Sequence, residues 1–368
     1  MRPLPLVLLA LACGGAAAAA EPLDPRVVTV MERAADWQIA NPSTKWKPTD
    51  WHNAAFYAGV MALSQESGSP RFTQAMVRMG EANRWQLGER VYHADDHAVG
   101  QTYADLFVSL RDPRIIGPMR ERFDFIIAHP KDNQLVFDKA KNPDFLDKWS
   151  WCDALFMAAP AWTKLAKVTG DRRYLDYAVA HWWVTSDFLY QPAEHLYLRD
   201  STYEPRREAN GRRVFWARGN GWVLAALVRV LQSMPPDHPA RPRFVRQYQE
   251  MAAAVAALQQ PDGFWRASLL DPASYPMKES SGTGFFCYAL AWGLNQGLLD
   301  RAGTGPVVHR AWVALLTCVE DSGRLNHVQP VGSTPVVFDA HSTEPYGVGA
   351  FLLAGSEVAR LDPPSGAP

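Results

Sequence analysis

The pattern that most limits what this chain can fold into is a repeated pair of helices. Residues 53–64 read as an apolar helix rich in small side chains. The turn Glu66-Ser-Gly-Ser-Pro70 follows, then a helix over 72–85 with one polar face. The unit recurs at 154–169 and 174–188, joined by Gly170-Asp-Arg-Arg173. It recurs again at 221–234 with 243–259, and at 284–298 with 307–321. A last apolar helix is predicted over 346–361. The first member of each pair is apolar on nearly every face, so it needs cover on both sides. Strand-like alternation is scarce. About six such pairs predict an all-α fold closed into an (α/α)6 barrel, a six-hairpin toroid of inner and outer helices. No linker or composition break divides residues 21–368, which are expected to form one barrel domain. The loops at one end of the inner helices should converge. Asp95, Asp153, Trp216 and Glu279 each fall at or just before the start of an inner helix, which groups them at that end.

Composition narrows the partners. The net charge of −1 over 368 residues lacks the basic excess that nucleic acid or an anionic membrane would require. Fourteen Trp offer flat faces of the kind sugar clefts use, although most of them should simply pack the core. The N-terminus reads as a cleaved export signal over residues 1–20. Met1-Arg2 is the basic start, Leu4 to Ala12 the apolar stretch, and Ala16 to Ala20 the small-residue cleavage site. The apolar stretch is too short to span a bilayer, so no transmembrane segment is expected after cleavage. The expected destination is the periplasm or the medium. A lipid anchor on Cys13 is the lesser alternative, because Ala10-Leu-Ala12 fits a lipobox poorly. After cleavage Cys152, Cys287 and Cys318 remain, an odd and widely spaced set that makes no disulfide framework.

Asp153 is the residue hardest to explain as structure. It lies in Trp149-Ser-Trp-Cys-Asp-Ala-Leu-Phe-Met-Ala-Ala-Pro160, an otherwise apolar run. Loss of hydration raises a carboxyl pKa, and a carboxyl protonated near neutral pH is a ready general acid. The plain alternative is a helix N-cap. A second acidic segment is Tyr92-His-Ala-Asp-Asp-His-Ala-Val-Gly-Gln101. Asp95 and Asp96 with His93 and His97 could bind metal, cap a helix, or hold sugar hydroxyls. Adjacent helical side chains do not face one another and nothing distant completes a shell, so no metal and no other cofactor is predicted.

The third segment is Phe215-Trp-Ala-Arg-Gly-Asn-Gly-Trp222. Were it helical throughout, Trp216 and Arg218 would lie about 200° apart, while Arg218 and Trp222 would share a face. An Arg among aromatics suits a negatively charged sugar, and a surface cation–π cluster is the structural alternative. The fourth, Lys278-Glu-Ser-Ser-Gly-Thr-Gly284, is a helix start whose first expected role is capping.

Five motifs together resemble the unsaturated rhamnogalacturonyl hydrolases of glycoside hydrolase family 105, and more distantly the unsaturated glucuronyl hydrolases of family 88. They are Trp151-Cys-Asp-Ala-Leu-Phe-Met157, Phe215-Trp-Ala-Arg-Gly-Asn-Gly-Trp222, Glu279-Ser-Ser-Gly-Thr-Gly284, Ala291-Trp-Gly-Leu-Asn-Gln-Gly-Leu-Leu-Asp300 and Tyr346-Gly-Val-Gly-Ala-Phe-Leu-Leu-Ala-Gly-Ser-Glu357. The likeness runs in order through most of the chain. It implies a catalytic toroid acting on lyase-generated oligosaccharides that end in a 4,5-unsaturated uronic acid. The enzyme protonates C4 of the enol ether, water adds at C5, and the hemiketal opens and expels the remaining sugar. The family's acid/base Asp falls on Asp153. Its second Asp precedes a Gly by five residues, which selects Asp95 with Gly100 and leaves Asp96 as the alternative. Substrate-binding positions carry over to Trp216, Arg218, Trp222 and the pair Trp51-His52. Arg199 stands where the family has a substrate-contacting His, with His195 out of register. That departure leaves open which parent polysaccharide is used, among rhamnogalacturonan, ulvan and arabinogalactan.

Other readings of the same residues remain. A conventional inverting glycosidase would need Asp95 or Glu279 about 6.5–9.5 Å from Asp153. A non-catalytic glycan-binding toroid would bind without turnover. A sugar epimerase would need paired His bases, and no clear pair is found. The oligomeric state is open.

Overall fold

The computed structural model describes residues 25–132 and 134–361. The predicted signal segment and Cys13 lie outside the described residues. Among the described residues thirteen α-helices follow one another: α1 (Pro25–Ala40), α2 (Trp51–Glu66), α3 (Pro70–Ala82), α4 (Gly100–Leu110), α5 (Gly117–Ala128), α6 (Ala154–Met157), α7 (Ala159–Thr169), α8 (Arg172–Leu189), α9 (Ala217–Ser233), α10 (Arg241–Ala257), α11 (Ser280–Asn295), α12 (Arg301–Leu316) and α13 (Pro345–Val358). One short hairpin pairs β1 (Tyr190–Gln191) with β2 (Leu196–Tyr197).

The inner ring runs α2, α4, α6/α7, α9, α11, α13, and α13 packs back on α2 to close it. The outer helices α1, α3, α5, α8, α10 and α12 return the chain, so all inner helices point the same way. This is the (α/α)6 barrel that the helix pairs predict. The all-round apolar surface of α9, α11 and α13 has the cause expected from sequence: nearly all their residues are buried between the ring and the outer layer. Closure depends on glycine. A Cβ on Gly59 of α2 would meet the Gly349 carbonyl oxygen of α13 at 2.6 Å, and a Cβ on Gly349 would collide with the backbone of Ala55. At the outer turn between α7 and α8, Gly170 takes φ 74°, which costs glycine little, and Asp171 caps α8 by accepting from Arg173 N at 3.0 Å.

The pattern departs from expectation in two places. The single helix predicted over 154–169 is broken at Ala158. Pro160 has no N–H to give the Phe156 carbonyl, and the Gln101 side chain of α4 fills the gap at 2.8 Å. Gln101 in turn accepts from Arg229 Nε of α9 at 2.6 Å, tying three inner helices together. The pair α4/α5 was not delimited by the pattern. Val108 and Leu110 stay exposed near the end of α4, which blurs its apolar face, and Arg111 ends it in the left-handed region at φ 56° without a glycine to signal it. Phe123 of α5 stacks on Trp162 of α7 at 3.8 Å and holds the pair in place.

Candidate active site

Because the inner helices are parallel, their N-termini meet at one end. Asp50, Asp153, Trp216, Glu279 and Glu344 each precede an inner helix, and the turn Ala94–His97 leads into α4. Six helix N-termini directed at one space create a positive field that favours an anion.

Asp153 sits in the N-cap position of α6, yet its side chain makes no capping bond. The side chain is 12% exposed and its carboxyl is left for other work. It accepts a hydrogen bond from Cys152 Sγ at 3.4 Å, and Arg199 Nε lies 3.7 Å from Oδ2. Backbone pairing places that arginine: Cys152 N donates to the Arg199 carbonyl at 2.8 Å, and Trp151 and Asp200 form an antiparallel bridge. Asp200 accepts from Arg199 Nη1 at 2.8 Å and is itself held by Thr202. Burial pushes the Asp153 pKa up, while Arg199, the Cys152 hydrogen bond and Arg218 pull against it, and the net direction is upward.

The two adjacent carboxylates have separate fates. Asp96 is clamped by Arg90, whose Nη2 reaches Oδ1 at 2.6 Å and whose backbone N–H reaches Oδ2 at 2.6 Å. Asp95 keeps an 18% exposed side chain, with His93 Nδ1 3.7 Å from Oδ2. Its pKa is raised to about 7, first by burial and then by the charges of Asp153 and Asp96, against the pull of Arg90. Burial holds His93 and His97 neutral, each at about 4. His97 is packed beneath Phe123 and Trp162.

The third segment is not helical throughout, and this corrects the expected geometry. Trp216 is extended at φ −72°, ψ 124°, and α9 starts only at Ala217. Arg218 therefore lies over the Trp216 ring at 4.6 Å instead of on the opposite face, with Tyr346 at 4.8 Å on its other side. The cation–π cluster is buried, not on the surface. Arg218 is fully buried and donates to the carbonyls of Gln329 at 2.6 Å and Pro330 at 3.0 Å. It bolts the loop before α13 to the start of α9. Trp222 is also fully buried, against Phe285 and Phe156 at 4.2 and 4.7 Å. Trp51 reaches Tyr346 at 5.3 Å and stays partly exposed. His52 is sandwiched between Trp46 and Trp51, each at 3.7 Å. Both of its ring nitrogens are buried without a hydrogen-bond partner among the described residues, and burial, helped by Arg218, lowers its pKa to about 3.

Glu279 is spent on structure. It accepts from Ser281 N at 2.9 Å, Gly282 N at 2.6 Å and Gln329 N at 3.3 Å. It therefore caps α11, as its segment suggested. His195 stands apart at the hairpin, with φ 54° and its ring 2.9 Å from the Tyr190 hydroxyl. Sequence reasoning missed Tyr346, Gln329 and Asp200 as parts of this end of the barrel. Tyr346 carried a usable signal, because it opens an inner helix as Asp153 does. Gln329 lies in an aperiodic stretch and carried none.

Comparison with known proteins fixes the class first: this is a glycoside hydrolase on an (α/α)6 barrel. The family model described as Glycosyl Hydrolase Family 88 matches residues 24–362, and the chain belongs to that family. A relative from Formosa agariphila, named unsaturated 3S-rhamnoglycuronyl hydrolase, is 37% identical over 342 residues, covering 90% of each protein. A solved structure described as a polysaccharide lyase is 32% identical with a TM-score of 0.82, covering 91% of this chain and 97% of that one. A family 105 glycoside hydrolase from C. acetobutylicum shares the fold at 21% identity, with a TM-score of 0.74 and coverage of 90% and 99%.

Proposed function

We propose that this hydrolase removes a 4,5-unsaturated uronic acid from the non-reducing end of lyase-generated oligosaccharides, with Asp153 as the acid/base. The observation that carries the reading is the Asp153 carboxyl itself: buried, raised in pKa, free of the capping bond its position offers, and set beside Arg199. Protonated Asp153 gives its proton to C4 as the π pair forms the new C–H bond. Water oxygen bonds to C5, and the water proton passes back to the carboxylate. The hemiketal then opens by breaking the bond from C5 to the ring oxygen. C1 is left as a hemiacetal, which expels the leaving sugar as its alcohol. One water is consumed and Asp153 ends protonated.

Asp95 fits the second carboxylate better than Asp96, since the Asp96 oxygens are engaged by Arg90. Its role in this reading is to hold ring hydroxyls, with its titration coupled to that of Asp153 by like charge. Arg199 and the converging helix N-termini would receive the uronate carboxylate, with Trp51 at the rim. Trp216, Arg218 and Trp222 support the site from beneath, because they are buried in this conformation. The names of the rhamnoglycuronyl relatives favour a rhamnose-linked unsaturated uronate as substrate. Residues 1–20 favour export to the periplasm, which N-terminal sequencing of the mature protein at Glu21 would check.

The test follows the absorbance of the conjugated enol-ether carboxylate in a lyase-generated, rhamnose-linked disaccharide. Wild type should bleach it, and Asp153→Asn should fold and bind yet not bleach it. A lyase would instead raise the absorbance on intact polysaccharide. Bleaching by Asp153→Asn at the wild-type rate would overturn the assignment.

A further inference from the structure

The residue before Asp153 has no part in the reaction above, yet it makes a hydrogen bond to the reacting carboxyl. Cys152 is fully buried, and its Sγ lies 3.4 Å from Asp153 Oδ2. Its place is fixed on two sides. Its backbone N–H is bound to the Arg199 carbonyl at 2.8 Å. Its sulfur lies so near α9 that a Cβ on Gly219 would meet it at 3.1 Å. Burial, joined by the charge of Asp153, holds the thiol far above its ordinary pKa, so it remains a neutral S–H donor throughout.

We propose that Cys152 is a positioning residue for the acid: its weak S–H bond orients Oδ2 without stabilising the carboxylate enough to strip the proton. The inference rests on Asp153 being the acid. The logic is one of bond strength. A hydroxyl or amide N–H bonds strongly to an ionised carboxylate and would lower its proton affinity. A thiol is a weak donor. The charged groups that act on Asp153 are Arg199 from the segment after β2 and Arg218 from α9, and Asp153 in turn raises the pKa of Asp95 in the turn before α4. None of them touches Oδ2 within hydrogen-bond distance, as Cys152 does. Cysteine thus gives direction with little charge stabilisation, in a place where serine would give both.

The experiment compares wild type with Cys152→Ser and Cys152→Ala in the full-length protein. Aspartate is labelled with ¹³C at the carboxyl, Asp153→Asn identifies the Asp153 signal, and its titration is followed by NMR beside the pH dependence of kcat/KM on an unsaturated disaccharide. Serine should lower the Asp153 titration midpoint and alanine should raise it, each by about half a unit or more. The alkaline limb of the rate profile should move with it. Should serine impair folding, the upward shift in the alanine variant alone decides. An unchanged midpoint, or movement of both variants in one direction, overturns the proposal. If the carboxyl moves as stated and the rate limb does not, Cys152 tunes Asp153 but the assignment of Asp153 as the acid falls, and the positioning role with it.

Discussion

Arg199 Nε stands 3.7 Å from Asp153 Oδ2 because the backbone at 199–200 pairs with the backbone at 151–152. Main-chain bonds thus place the residue, and Asp200, accepting from Nη1 at 2.8 Å, holds its guanidinium. Arg199 lowers the Asp153 pKa against a larger rise from burial, and in the proposed reading it would receive the uronate carboxylate. Replacing Arg199 by Ala should therefore do two things. KM for the unsaturated disaccharide should rise about ten- to a hundredfold, as expected for losing one charged hydrogen bond. The alkaline limb of kcat/KM should move upward, because the nearest cation no longer favours the carboxylate. Steady-state kinetics across pH reads both, and a KM change with an unmoved limb would separate binding from tuning.

Asp95 provides a prediction about stability. Its folded pKa is about 7, above the ordinary aspartate value of 3.8. Between those values the folded protein holds a proton that the unfolded chain has lost, so this group makes stability fall as pH rises. Asp95→Asn removes that penalty. The variant should melt higher than wild type at pH 8, by up to about 4 kcal/mol of stability, and the gain should vanish below about pH 4. Thermal melts at the two pH values check it. An equal gain at both would mean that packing, not charge, is responsible.

Glu279 tests the inverting-glycosidase alternative. Its two oxygens hold three backbone N–H groups and the Ser281 hydroxyl. Glu279→Ala should cost about 2–4 kcal/mol, since it leaves buried donors unpaired. Glu279→Gln keeps the size and one acceptor oxygen, so it should restore much of the stability and retain turnover within about tenfold. Loss of turnover by several orders of magnitude in a well-folded Gln variant would make Glu279 a catalytic carboxylate instead.

The barrel was legible in the sequence because its inner helices are apolar on every face, a property that permits few architectures. The boundary errors have local causes. Pro160 broke a helix whose period continued across it, and Arg111 took a left-handed cap that normally announces itself with glycine. Asp153 was legible for a related reason: a lone carboxyl in an apolar run has few structural excuses, and the capping excuse is not used. What sequence could not show was which polar groups were already spent. Arg218 looked like a ligand for an anion, and two of its nitrogens go to Gln329 and Pro330, while Nε is buried without a partner among the described residues. Trp222 looked like a stacking platform, and both faces are covered. Asp95 and Asp96 were equivalent as letters and became distinct only when Arg90 folded onto one of them.

In the proposed reaction a carboxyl fixed on one side of the sugar delivers a proton to carbon. The most direct measurement runs the reaction in D2O and reads the product by NMR at early times. One deuterium is expected at C4, on a single face, formed in step with release of the leaving sugar, and none formed by Asp153→Asn. Release of that sugar without deuterium at C4, or with deuterium spread over both faces from the first turnovers, would contradict it.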